Sequence, residues 1–192
     1  MKKLFVIANW MQGTGLSGGD RIFIELVKRW QLKLNITLFL SKEGSMICQH
    51  QELENINQKI WASDLMTRWG YFADILYRTT NSITKAFSVK TLPEDIVFSS
   101  SDFWPDSFPA LILKWRNPKI VWIAGFYLFA PKPWKKNSPY RGKNFVTGLF
   151  YWLGQQPNYH LTRKFADIVF VTSEPDVDKF TTHIRSKDRV IV

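Results

Sequence analysis

The feature that most narrows what this 192-residue chain can fold into is a change of hydrophobic period close to its start. Leu4 to Ala8 is apolar throughout, the pattern of a strand covered on both faces. From Gly19 the period lengthens: Ile22, Phe23, Leu26, Val27 and Trp30 recur at three- and four-residue spacing and draw one apolar helical face. Asp20 falls in the first turn of that helix, where a carboxylate favours the helix dipole. Ile36 to Leu40 then returns to an unbroken apolar run. Strand, helix and strand in that order predict a right-handed βαβ unit.

The alternation continues along the chain. Ser45 to Leu53 reads as a short helix and Ile60-Trp61 as a short strand. A longer helical region covers Asp64 to Phe87, with Leu65, Trp69, Phe72, Ile75, Leu76, Ile83 and Phe87 available for packing. Strands follow at Ile96 to Ser99, Lys119 to Ala124 and Asp167 to Thr172. Pro105 starts a helix to about Trp115, and Pro175 sits at an allowed first-turn position of another. A helix near Asn144 to Phe165 carries Pro157, a candidate interruption. The expected fold class is α/β: one Rossmann-like three-layer domain over residues 1–192, its mostly parallel sheet flanked by helices. The closing run Arg189 to Val192 reads as a strand with nothing after it, which suggests a cut at an interdomain linker.

Between the first strand and its helix lies Gly13-Thr14-Gly15-Leu16-Ser17-Gly18-Gly19. Glycines let a backbone approach a bound group closely, and a helix opening at Gly19 offers unpaired amides to a phosphate or a sugar hydroxyl. The letters match G-x-G-x-x-G, but Asn9 to Gln12 intervenes after the strand and no acidic residue closes the second strand at Leu40. A substrate-binding loop is therefore favoured over a dinucleotide site or a plain turn. Asp102 and Asp106 sit where a later strand opens into a helix, the ligand side of a parallel sheet. Either binds sugar hydroxyls or acts as a base, or else serves the turn and the helix start. His50, His160 and His183 are scattered and no cysteine pair exists, so no metal site is expected. Lone Cys48 excludes an internal disulfide and fits a reducing compartment. Met1-Lys2-Lys3 and the short run after it are read as a strand rather than an export signal, which points to the cytoplasm.

Twenty-six Lys and Arg against 16 Asp and Glu give a net charge of +10, which calls for an anionic partner. Much of it falls in Phe126 to Lys143, rich in Pro, Lys and aromatic residues. Lys132, Lys135, Lys136, Arg141 and Lys143 can meet anionic headgroups while Phe126, Tyr127, Phe129 and Trp134 enter the interface. Phe145, Leu149, Phe150, Trp152 and Leu153 extend that surface. The alternatives are a loop whose aromatics fold back on the domain and, third in order, a single-stranded nucleic acid site.

The order of these features resembles the N-terminal domain of GT-B glycosyltransferases, especially the retaining group called family 4. The similarity lies in Ser17-Gly18-Gly19-Asp20-Arg21-Ile22-Phe23-Ile24-Glu25-Leu26, in Arg163-Lys164-Phe165-Ala166-Asp167 leading to Ile168-Val169-Phe170-Val171-Thr172-Ser173, and in Lys187 to Val192. The resemblance implies one half of a two-domain architecture, with this half holding a sugar, lipid or glycan acceptor. A C-terminal domain holds the nucleotide-sugar donor, and transfer proceeds with retention and with neither metal nor other cofactor. Gly18 and Gly19 then lie near the donor diphosphate. Where many members carry a His after the strand ending at Ala124, this chain has Gly125-Phe126-Tyr127, so no catalytic residue is assigned. The substrate-binding candidates are Gly15, Ser17, Gly18, Gly19, Asp102, Gly125 and Phe126, and membrane contact falls to Lys132, Trp134, Lys135, Lys136, Arg141 and Lys143. A chain with this half alone is expected to be inactive. The competing reading is a non-catalytic α/β binding domain or a nucleotide-dependent oxidoreductase.

Overall fold

The computed structural model describes residues 2–12, 15–53, 55–62 and 70–192. Among them, β1 (Lys3–Ala8), β2 (Asn35–Ser41), β3 (Asn57–Ala62), β4 (Ile96–Ser99), β5 (Val121–Gly125), β6 (Ile168–Phe170) and β7 (Val190–Ile191) form one sheet in the order β3-β2-β1-β4-β5-β6-β7. Every pairing is parallel. The helices are α1 (Gly18–Trp30), α2 (Lys42–His50), α3 (Tyr71–Ala86), α4 (Trp104–Arg116), α5 (Phe145–Phe165) and α6 (Glu174–Phe180). The α/β three-layer fold expected from the sequence is what the chain adopts.

Alternation along each strand divides the core in two, because successive side chains point to opposite faces. Phe5 and Ile7 of β1 join Phe39, Val97 and Trp122 in one layer, where the rings of Phe39 and Trp61 stack at 4.0 Å. Leu4, Val6 and Ala8 join Leu38, Leu40, Phe98 and the inner face of α1 (Phe23, Ile24, Val27) in the other. Both faces of β1 are covered, which explains its continuous apolar run.

Several boundaries move for identifiable reasons. The second helix opens at Lys42, directly after β2, because the Ser41 hydroxyl accepts the Gly44 amide at 2.9 Å and caps it. Residues 64–69 of the predicted third helix, like Gly13 and Thr14 of the glycine loop, lie outside the described residues. β6 is shorter than expected at both ends, and just before it the Asp167 carboxylate accepts Lys114 Nζ and the Trp122 amide at 2.7 Å each. Pro157 leaves α5 unbroken through all 21 residues. One turn before it, the Trp104 indole N–H donates to the Gly154 carbonyl at 2.7 Å, tying that stretch of α5 to α4.

Candidate functional site

The order of strands reverses between β1 and β4, and in a parallel sheet the crevice outside the carboxyl ends at such a point takes ligands. The chain leaving β1 there does not turn at once into α1. It crosses the sheet end as Asn9 to Gln12, held by α3, α4 and the last residue of β2. Arg78 of α3, with no exposed surface, donates to the carbonyls of Asn9 at 3.1 Å and Met11 at 3.4 Å. Its other nitrogens reach Asp74 Oδ1 at 2.9 Å and Glu43 Oε1 at 2.8 Å. Burial alone lowers the affinity of this guanidinium for its proton, but the two carboxylates outweigh it and the pKa is raised. The Ser41 hydroxyl donates to the Met11 carbonyl at 2.8 Å, and Gln12 Nε2 donates to Asp74 Oδ2 at 2.7 Å.

From α4, Asp106 Oδ1 accepts the amides of Asn9 at 2.6 Å and Trp10 at 3.0 Å. Its Oδ2 accepts the hydroxyls of Ser100 at 3.2 Å and Ser101 at 2.5 Å. Asp106 is thus committed to joining the ends of β1 and β4. Burial pushes its pKa up to about 7 despite those donors. These clamps leave a cleft of about 220 Å³ lined by Trp10, Gln12, Gly15, Ser17, Gly19 and Phe103, with Asp20 and Asp106 at its edges.

The glycine loop closes this cleft with a reciprocal cap. Ser17 Oγ accepts the Asp20 amide at 3.1 Å, while the Asp20 carboxylate accepts the Ser17 amide at 2.9 Å. Asp20, read from the sequence as a dipole partner, is therefore also the second half of a capping box. The cap leaves the amides of Gly18 and Gly19 as the available donors of the first turn. The ring of Tyr127 lies over Gly19, where an added Cβ would come within 3.0 Å of it.

The other expected site residues separate into groups. Gly15, Ser17 and Gly19 line the cleft. Asp102 lines a neighbouring groove instead, and Gln155 Nε2 donates to its carboxylate at 2.7 Å. Burial raises its pKa to about 6. Gly125 and Phe126 line neither cavity. Tyr127 folds back over Gly125, so that a Cβ there would meet the Tyr127 hydroxyl at 2.7 Å and the Ser100 carbonyl at 2.8 Å. Phe126 is a correction to the expected interface: its ring is fully covered, packed 4.9 Å from Phe180 and 4.8 Å from Phe129. Lys132, Trp134, Lys135, Lys136, Arg141 and Lys143 are all exposed. Among the described residues no helix is long and apolar enough to cross a membrane, and no group of three or more His, Cys, Asp or Glu is placed to hold a metal.

Sequence reasoning passed over Trp10, Phe103 and Gln155, and it read Tyr127 as a membrane-interface aromatic although its ring lies against Gly19 and Gly125. Trp10 and Phe103 stack at 4.9 Å across the floor of the cleft. The Tyr127 hydroxyl is buried with no hydrogen-bond partner among the described residues, and burial together with the charges of Asp102, Asp106 and Asp20 raises its pKa. Gln155 joins three segments: it donates to Asp102 and to the Leu128 carbonyl, and accepts the Ala130 amide, at 2.7 Å each. Nothing in residue type sets Gln155 apart from the neighbouring Gln156 on the same helix, so the sequence carries no signal for this joint.

No protein-family profile matches the chain, and no curated protein matches it in sequence. Among solved structures it is similar to Anabaena Alr3699/HepE in complex with UDP-glucose, with a TM-score of 0.53 and 11% identity. The same protein in complex with UDP and glucose gives 0.52 and 11%. In both, the likeness covers 99% of this chain and 43% of the other. The chain therefore spans less than half the length of the structure it matches, and its fold is that of a GT-B-like half-domain.

Proposed function

We propose that this chain is the acceptor-side domain of a glycosyltransferase that moves a sugar from a nucleotide-sugar donor to an acceptor hydroxyl. The observation that carries the reading is the cleft at the β1–β4 reversal, lined by Ser17 and Gly19 at the capped start of α1. The first-turn amides and the positive end of α1 suit the diphosphate of a donor. Aromatic Trp10 and Phe103 suit the apolar face of a sugar. The similarity to a structure holding UDP-glucose supports the choice of donor class.

In this reading a second domain binds the nucleotide and closes over the cleft, and the reaction is a retaining transfer of the kind the family 4 motifs imply. Closure supplies most of the rate by orienting donor and acceptor together. On the acceptor side this reading favours Asp102, which lines the neighbouring groove and whose pKa burial raises to about 6. The exposed lysines between Lys132 and Lys143 give the domain a peripheral contact with anionic membrane.

The test is donor turnover by the full-length polypeptide, with UDP-glucose and other nucleotide-sugars, compared with residues 1–192 alone. The expected result is transfer by the former and none by the latter. Robust transfer by residues 1–192, or tight binding of NAD in place of a nucleotide-sugar, would overturn the proposal.

A further inference from the structure

Beside the cleft a groove of about 400 Å³ separates α3 from α5. Phe72 and Leu76 line one wall and Phe150 and Leu153 the other, all roughly half exposed. The rings of Phe72 and Phe150 meet edge-on at 4.6 Å. Polar groups along the groove are engaged within the protein: Gln155 donates to Asp102, and the Trp104 indole donates to the Gly154 carbonyl. Phe103 lines both cavities, stacked on Trp10 at 4.9 Å on the cleft side and on Tyr151 at 6.0 Å on the groove side. Phe103 is thus the wall that the groove and the cleft have in common, so the two cavities are neighbours.

Charge selects among apolar occupants. Between Asp106 and Asp167 there is no acidic residue, while ten Lys and Arg fall in the same span. Five of these, Lys132, Lys135, Lys136, Arg141 and Lys143, are exposed on the segment leading into α5. That segment docks on α5 through Trp134 against Trp152 at 5.0 Å and Tyr140 against the groove residue Tyr151 at 6.1 Å. An apolar groove beside a segment whose exposed cations form no ion pair among the described residues suits an apolar chain that carries an anion. It disfavours a second copy of this chain, which would bring the same cations face to face.

We infer that the groove between α3 and α5 binds the hydrocarbon chain of a lipid phosphate, whose phosphate meets the lysines of the adjoining segment and whose headgroup is the acceptor presented to the cleft. This deepens the transferase reading and rests on it for the headgroup's role, but the binding itself does not need a donor.

The experiment is calorimetric titration of the protein with hexyl, octyl and decyl phosphate below their aggregation limits, with inorganic phosphate and octyl trimethylammonium as comparison arms. The expected result is affinity rising with chain length, by up to about fourfold per buried methylene, with neither comparison ligand binding comparably. Leu153→Asp and, on the opposite wall, Leu76→Asp should each weaken decyl phosphate at least tenfold while leaving thermal unfolding unchanged, since both side chains are half exposed. Lys135→Glu with Lys136→Glu should weaken the alkyl phosphates and leave octyl glucoside unaffected. Equal affinity for hexyl and decyl phosphate, or unchanged binding by both groove variants, would overturn the inference. Chain-length dependence without any sugar transfer by the full-length protein keeps the groove and rejects the transferase. Transfer to water-soluble acceptors, with no chain-length dependence, does the reverse.

Discussion

At the scale of single residues, Arg78 shows how one side chain holds a site together. It is buried between Asp74 and Glu43 and also holds the backbone that floors the cleft. Arg78→Met would leave Asp74 and Glu43 without this cation and take the guanidinium donor from the Asn9 carbonyl, while Met11 keeps the Ser41 hydroxyl. The expected loss is about 3–5 kcal/mol, read by urea unfolding; a loss below 1 kcal/mol would show that the network is dispensable. Asp106 governs a pH response. Its folded pKa, about 7, lies above the ordinary value of 3.8, so the folded state binds more protons than the unfolded chain between these limits. Its contribution to stability is fully present below pH 3.8 and is lost as pH rises to 7, at up to about 1.4 kcal/mol per pH unit. Asp106→Asn keeps the acceptor for the Asn9 and Trp10 amides and should flatten the dependence of the melting temperature on pH between 4 and 7. Tyr127→Phe removes a buried hydroxyl that has no partner among the described residues and should stabilise the domain by about 1 kcal/mol. A destabilisation of that size in chemical denaturation would mean that the hydroxyl is satisfied in solution.

At the scale of elements, the approach of the segment after β5 to the start of α1 depends on two glycines. Gly19 and Gly125 together make room for the Tyr127 ring, and a Cβ on Gly125 would also meet the Ser100 backbone. Gly125→Ala should destabilise by about 1–3 kcal/mol through this overpacking. It should also shift the amide resonances of Gly18 and Gly19 in a two-dimensional NMR spectrum. Unmoved resonances would uncouple the β5 segment from the cleft. The same segment carries the aromatic and basic stretch, and here the side chains divide: Phe126 is enclosed in the core while Trp134 and the lysines stay outside. In sequence the two kinds of aromatic look alike. The positions of α5 and α6, whose Tyr159 and Phe180 pack on Phe126 and Phe129, distinguish them.

At the scale of the whole molecule, the positive charge gathers on the segment between α4 and β6 that also bears the groove. Vesicle sedimentation should show binding to anionic lipid that fades with salt, because exposed cations are screened within about 10 Å at 0.1 M. Reversing Lys135 and Lys136 should reduce it more than tenfold, at about 1 kcal/mol per basic group lost. Equal sedimentation by the reversed variant would remove the membrane from the proposed function. The alternation of period that set out β1, α1 and β2 was legible because covered strands and amphipathic helices obey local geometry, one side chain at a time. Ser17 to Asp20 could likewise be placed at a helix start from spacing alone. The clamp by Arg78 and the joint at Gln155 were not legible, since each connects positions dozens of residues apart through backbone groups that leave no trace in residue type. The sequence by itself determined the layered α/β fold and the place of the glycine loop on it, because hydrophobic periodicity dictates which face is buried. Only the tertiary structure decided which aromatics remain free and which carboxylate faces the groove, because burial and partnership arise where distant elements meet.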